Sequence, residues 1–365
     1  MPKILSNEII EQVLTMPACI DVMEEAYVAW ANDQAITRTR SDTYMPVGNS
    51  TYYVLKTMDG ILGTRGIGSI RLNSDLIQWS VKDGVTKKTK LRSAQGGRYN
   101  GMVLLFDTHT GEIKAMFPDG FIQKLRVAAT GALSVKYMAR KDADVLGLIG
   151  TGWQATGAIE AVNTVRPLKQ VKVYSTNPKH RQEFADTYLK KLGIPVLAVD
   201  SAREAVRGAS IVSTATNSLN RVIEGDWLEP GCHVYCVKYS ELGDGVRSKA
   251  DWLAVNVHYA TPENHIPGIG RVSATDPIDL LEQGFEKEAL SEPEDEWAKT
   301  FPELHEIVNG SVVGRHNDDE ITLFVNNNGI GLQFSAAGAA ALQLAEEQNL
   351  GIDIPIDWFV QTVHP

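Results

Sequence analysis

The chain has 365 residues, enough for two domains of ordinary size, and its 43% hydrophobic and 22% charged residues predict a globular protein. No apolar run approaches the ~20 residues that span a bilayer. A formal charge of −10 argues against the wide phosphate-neutralising face that nucleic-acid binding requires. The start MPKILSNEIIEQVL lacks the basic, apolar and small-residue parts of a signal peptide, so a cytoplasmic location is expected.

Apolar residues at helical spacing (Ile9, Ile10, Val13, Leu14, then Ile20, Met23, Ala26, Tyr27) predict two helices, with Ser6 and Pro17 as start signals. Short β-like runs follow, STYYVLKTM, GIGSIRL and GMVLLFDTHTGEIKAMF, the last a hairpin turning at Thr108 to Gly111; together they predict a sheet of their own. The basic segment Lys82 to Arg98, with Gly84, Gly96 and Gly97, reads as a solvated loop. From QKLRVAATGALSVKYMARKDAD onward, helices alternate with short apolar strands (VLGLIG, VKVYS, IPVLAV, ASIVSTAT, HVYCV, WLAVNV), which predicts a parallel sheet covered on both faces. LSEPEDEW reads as an acidic surface loop, and after Ile321 the stretch TLFVNNNGIGLQFSAAGAAALQLAEEQNLG reads as a glycine-broken run followed by an alanine-rich helix, expected to end at Gly351. Cys19, Cys232 and Cys236 are odd in number and lack metal-ligand spacing, so they are expected as core residues without disulfides; no metal site is expected, and His233 reads as structural.

The stretch DVLGLIGTGWQATGAIEAV holds G-x-G-x-x-A at Gly150, Gly152 and Ala155, between a strand and a helix. Gly150 permits the tight turn, Gly152 lets backbone approach a pyrophosphate, and Ala155 lets helix and strand pack closely, so a dinucleotide site is expected. Its contacts are Gly150, Thr151, Gly152, Trp153, Gln154 and Ala155 at the turn, then Thr214, Ala215, Thr216 and Val237 beyond later strands. Where an Asp or Glu would hold the ribose of NAD, the chain has Ser175, Thr176 and Asn177, followed by Lys179, His180 and Arg181. Hydroxyls and cations there favour NADP(H) over NAD(H).

The segments LRVAATGALSVKYMAR, VLGLIGTGWQA, SAREAVRGASIVSTATNS, EPGCHVYCV and GRHNDDEITLF together resemble the ornithine cyclodeaminase/mu-crystallin family, over most of the chain. The resemblance implies an α/β fold: a central Rossmann-type doubly wound sheet (126–325), and an α+β substrate and dimerisation domain built from both chain ends (1–125 with 326–365), in a homodimer. It also implies that Arg126 binds a substrate carboxylate, with Arg38 or Arg40 supporting it; a guanidinium fork suits a carboxylate independently of any family.

Two departures bear on the chemistry. The family's lysine, in a K-x7-N stretch, falls on Arg65, with Asn73 retained; Arg65 and Arg71 can bind charge but cannot shuttle protons. The cyclodeaminase aspartate falls on Ser240, beside Glu241, whose side chain points elsewhere if the backbone is extended, and a further family aspartate is replaced by Phe334. These changes weaken cyclodeamination and leave hydride exchange between a nicotinamide cofactor and the C–N carbon of a carboxylated imine or amino acid. Two alternatives stay open: a cyclodeaminase-like lyase with bound NAD and Glu241 as base, and a non-catalytic NADP-dependent binding protein. Tyr239, Glu241 and His233 are the nearby proton donors in sequence, and none is assigned as the acid.

Overall fold

The computed structural model describes residues 1–38, 40–48, 51–82, 85–218, 220–258 and 298–363; the LSEPEDEW segment lies outside them. Among these residues contacts divide the chain into two units, one of 1–126 with 328–363 and one of 127–258 with 298–327.

The first unit opens with β1 (Lys3–Ile4), α1 (Asn7–Val13) and α2 (Met16–Ala31). Both helices begin as their sequence signals suggest. Ser6 accepts a hydrogen bond from the Ile9 amide, Thr15 accepts one from Ala18, and Pro17 occupies the first turn of α2. There follow β2 (Ala35–Thr37), β3 (Ser41–Gly48), β4 (Thr51–Leu62), β5 (Ile67–Lys82), β6 (Val85–Lys90), β7 (Asn100–Asp107) and β8 (Ile113–Pro118). They join one sheet of order β16-β1-β8-β7-β5-β4-β2, where β16 is Ile352–Asp353, β3 pairs with β4 and β6 with β5. The expected hairpin is the β7–β8 connection.

Strand β5 alternates strictly from Ile67 to Gln78. Ile67, Ser69, Arg71, Asn73, Asp75 and Ile77 are buried on one face, and that polar run inside the sheet is what an apolar core does not need. The basic segment departs from expectation: β5 continues to Lys82 and β6 returns against it, Ile77 opposite Lys90 and Lys82 opposite Val85. A strand rich in lysine and threonine suits a sheet edge, which hydropathy alone cannot tell from a loop.

The long α3 (Gly120–Met138) leads into the second unit: β9 (Val145–Ile149), α4 (Trp153–Val165), β10 (Gln170–Tyr174), α5 (Pro178–Leu192), β11 (Val196–Ala198), α6 (Ala202–Val206), β12 (Ile211–Thr214), β13 (His233–Cys236), α7 (Asp244–Lys249), β14 (Trp252–Val255), α8 (Leu304–Val308) and β15 (Thr322–Val325). The sheet order is β11-β10-β9-β12-β13-β15-β14 and every pairing is parallel. The chain therefore winds outward from β9 in one direction to β11 and in the other from β12, and the reversal between β9 and β12 opens the crevice where doubly wound sheets bind ligands. Cys232 and Cys236 are buried in this core. His233 is wholly buried too, between Ser134 Oγ (3.1 Å) and Thr322 Oγ1 (2.9 Å), and burial holds its imidazole well below the ordinary range, as befits a structural residue.

The chain then returns to the first unit as α9 (Gly331–Glu347), packed against β4, β5 and α2. It stops before Gly351, because Asn349 adopts the left-handed conformation (φ 54°) and the Leu350 amide closes the end on Ala345. No helix of the described residues is long and apolar enough to cross a membrane.

Candidate functional site

In the second unit the glycine motif sits at the end of β9, beside the reversal point. Gly150 has φ +116°, and a Cβ there would stand 2.4 Å from the Ala215 carbonyl oxygen, so the turn admits only glycine. Gly152 caps α4 without strain and Ala155 is fully buried under the helix. Thr151, Trp153 and Gln154 complete the turn; Trp153 is half exposed, and Gln154 Oε1 is buried with no hydrogen-bond partner among the described residues. Across the crevice runs the loop Thr214–Ala215–Thr216, and the Val237 amide donates to the Thr214 carbonyl at 3.2 Å.

That loop is fastened by Glu241. The backbone after β13 is not extended: a 3-10 turn at Tyr239–Glu241 folds the carboxylate back, where it accepts from Thr214 Oγ1 (2.9 Å), the Thr216 amide (2.6 Å) and Thr216 Oγ1 (2.5 Å). Burial raises the Glu241 pKa against the lowering effect of these bonds. Both Glu241 oxygens are thus occupied in the interior of the unit, where the group positions a loop.

At the end of β10, Asn177 caps α5 by accepting from the His180 amide at 3.1 Å, and Ser175 Oγ donates to the Asn177 carbonyl. Thr176 and Lys179 are exposed, Lys179 lying 3.8 Å from Glu183. Arg181 is largely buried: its fork takes Asp200 Oδ1 (2.8 Å) and the Ser175 carbonyl (3.2 Å) and lies 5.5 Å over the Tyr174 ring.

The first unit holds the second group. Arg71 donates to Asp119 Oδ2 through Nε at 2.8 Å, and Asn73 Nδ2 donates to the same oxygen at 2.8 Å. Arg126, on α3, donates to Gln123 Oε1 (3.2 Å) and Gln333 Oε1 (2.8 Å), and Gln333 Nε2 in turn donates to the Tyr27 hydroxyl. Both guanidinia face one ring, Arg126 at 5.1 Å and Arg71 at 5.5 Å from the centroid of Phe334. Burial, with the Arg71 charge second, disfavours the charge on Arg126, yet a guanidinium stays protonated and so calls for a counter-charge. Two buried cations so close are relieved by an anion, and a carboxylate matches the paired donors of either fork.

The arrangement depends on Gly101, opposite Asn73 in the sheet. A Cβ there would lie 2.2 Å from Asp119 Oδ1 and 2.3 Å from Asn73 Nδ2. Gly101→Ala is therefore expected to break the Asp119 contacts and to destabilise the fold by about 1–3 kcal/mol, as overpacking does, read as the urea midpoint at unchanged slope.

The structure does not bring every candidate here. Arg38 pairs with Asp59 at 2.7 Å with its side chain 77% exposed, whereas Arg40, paired with Asp42 at 2.7 Å, stays near enough for its charge to act on Arg71 and Arg126. Arg65 stands in a 3-10 turn outside the β5 row and grips Glu25 through two nitrogens, 2.6 Å at the closest. Sequence reasoning missed Asp119, Gln123 and Gln333, polar residues on helical or strand ends with no spacing to mark them, and read Phe334 as a loss when it is the platform for both arginines.

Residues 2–341 match the ornithine cyclodeaminase/mu-crystallin family. A Bacillus cereus Delta(1)-pyrroline-2-carboxylate reductase is 31% identical over 230 residues, 62% of this chain and 65% of the relative. The alanine dehydrogenase of Archaeoglobus fulgidus is 25% identical over 356 residues, covering 96% and 97% of the two chains. Among solved structures, Thermococcus litoralis Delta(1)-pyrroline-2-carboxylate reductase in complex with NADH and L-proline superposes with a TM-score of 0.73 at 26% identity, over 96% of this chain and all of that one. With the family matched across nearly its whole length and the fold shared throughout, the chain belongs to the ornithine cyclodeaminase/mu-crystallin family.

Proposed function

We propose that the protein is a nicotinamide-dependent oxidoreductase that transfers hydride to or from the C–N carbon of a carboxylated imine or amino acid. The observation that carries it is the pair of buried guanidinia on Phe334, in a chain whose relatives include reductases of a cyclic imino acid. Arg126, braced by Gln123 and Gln333, holds the substrate carboxylate, and Arg71, fixed by Asp119, reads a second polar group. Asn73 keeps Asp119 in place. In the second unit the backbone around Gly152 takes the diphosphate, and buried Gln154 Oε1 is an acceptor left for a ligand hydroxyl. When bound, the nicotinamide supplies the hydride; the chain orients, excludes water and manages charge. The lyase alternative loses support because Glu241 is committed to the threonines. Incubating the protein with reduced or oxidised cofactor and a panel of cyclic imino acids, keto acids with amines, and amino acids, while following nicotinamide absorbance, tests the reading; silence across the panel in both directions defeats it.

NADP(H) is the expected cofactor. Nothing acidic stands at residues 175–177, and a 2′-phosphate there meets the N-terminus of α5 and the exposed Lys179, while Arg181 is already tied to Asp200. Lys179→Glu is expected to raise KM for NADPH about tenfold, near 1.4 kcal/mol, and to change KM for NADH less than about twofold. Equal effects on both coenzymes would point to NAD(H). The chain is further read as a homodimer, supported by the exposed Met45, Val47, Tyr53 and Leu55 on β3 and β4, where Met45 and Tyr53 are direct cross-strand neighbours.

A further inference from the structure

An imine accepts hydride readily only when its nitrogen is protonated, and neither arginine can provide that proton. His233 and Glu241 are enclosed in the core of the second unit. Among the described residues of the first unit, a lysine shares the sheet face of the Arg71 and Asn73 row. Lys56 of β4 lies directly opposite Asn73 of β5 on one side and Asp42 of β3 on the other. Residues directly opposite one another share a face of the sheet, so Lys56 belongs to the same buried row as Asn73, and Arg71, opposite Met58, is its diagonal neighbour. Val54 and Met58, two positions either side of Lys56, are buried at 0% and 2% exposure, which confirms the face.

The charged groups around it come from three strands: Arg40 beside and Asp42 on β3, Arg71 and Asp75 on β5, and Lys90 on β6. Asp75 is shared. Its Oδ1 binds Lys90 at 2.6 Å, and Lys56 Nζ has only the longer contact, 3.4 Å to Oδ2, with the Lys56 side chain 15% exposed. A charge-assisted bond of full strength is nearer 2.7–2.9 Å, so this ammonium is enclosed and loosely held.

We propose that Lys56 is the proton donor and acceptor for the substrate nitrogen, an ammonium on β4 doing what the arginines of this chain cannot. This rests on the oxidoreductase reading above. In reduction the C=N nitrogen takes a proton from Lys56 Nζ while its carbon takes hydride from the reduced nicotinamide; the C=N π bond breaks, one C–H and one N–H bond form, and the neutral lysine recovers a proton from water. Oxidation runs the same transfers backward. Burial first, then the Arg40 charge, lowers the Lys56 pKa, while Asp42 and Asp75 oppose it. The reductive rate should therefore fall as pH rises through a value below that of an ordinary lysine, and the oxidative rate should rise there.

The test has two parts. Reductive methylation of the unloaded wild-type protein across pH, followed by mass spectrometry of the Lys56 peptide, reads the amine itself; a Lys56 that titrates like surface lysines overturns the proposal. Lys56→Arg keeps the charge and Lys56→Ala makes room for a small amine. Both are expected to lose at least about 10²-fold in kcat and the alkaline limb of the profile, with nucleotide affinity unchanged, and added ethylamine is expected to restore part of the Ala variant's rate. Lys56→Arg within about threefold of wild-type kcat, with the same pH profile, overturns the assignment and leaves the oxidoreductase reading standing. A wild-type protein that turns over nothing on the panel overturns both.

Discussion

Arg126→Met is expected to lower kcat/KM for a carboxylated imine by about 10³-fold, almost entirely through KM. Removing one partner of a desolvated, hydrogen-bonded charge pair costs roughly 2–5 kcal/mol, and about 4 kcal/mol corresponds to three decades. The loss should fall on KM because a carboxylate remote from the reacting carbon is bound alike in ground and transition states. Methionine fills similar volume against Phe334 and removes a cation whose burial is unfavourable, so the fold should not suffer through charge. Arg126→Lys should recover little: an ammonium is a point charge and cannot hold Gln123, Gln333 and a carboxylate together in one plane as the fork does. Initial-rate kinetics with fluorescence titration of the reduced cofactor separates the cases. If KM stays within about twofold of wild type, the carboxylate binds elsewhere.

How far the sequence could lead to this site depends on the kind of signal each residue leaves. The parallel sheet, its glycine turn and the helix from Pro178 to Leu192 follow from apolar periodicity and start signals, which act over a few neighbours and are visible in the string. The polar row of β5 was half visible. Arg71 and Asn73 could be named, but their partner Asp119 is 46 residues from Asn73, and only the pairing of β5 with β7 and the bare backbone at Gly101 bring them together. Lys56 sat unremarked in STYYVLKTM because alternation in a strand is read as apolar inside and polar outside; the lysine lies on the apolar phase, with Val54 and Met58, and that mismatch was its one signal. The direction of Glu241 was legible only under the condition of an extended backbone, and the 3-10 turn there sends its carboxylate to the threonines instead. Phe334 shows the hazard of reading a substitution as a deletion: losing a carboxylate there removes an anion and adds a ring for two guanidinia, which changes the site's charge without emptying it.

Gly152→Ser is expected to keep or slightly raise stability and to weaken nicotinamide nucleotide binding by about 10²-fold, near 2.7 kcal/mol. The two motif glycines are glycine for different reasons. At Gly150 the left-handed φ and the Ala215 carbonyl forbid any side chain, so Gly150→Ser should unfold or badly destabilise the unit whatever its ligand. Gly152 has φ −85° and ψ −174°, ordinary extended backbone, and a Cβ there meets no atom within 4 Å. It also caps α4 without a side-chain hydrogen bond. Serine is among the best capping residues and loses less entropy on folding, so the protein alone gives no reason to have glycine there. The reason must be something that approaches from outside, and at the N-terminus of a helix, beside the reversal point of a parallel sheet, an anion such as a diphosphate is what approaches. Thermal melts paired with nucleotide titrations of the two serine variants separate fold from ligand. Undiminished affinity in Gly152→Ser would remove the diphosphate from this turn, and with it the nicotinamide chemistry assigned to the chain.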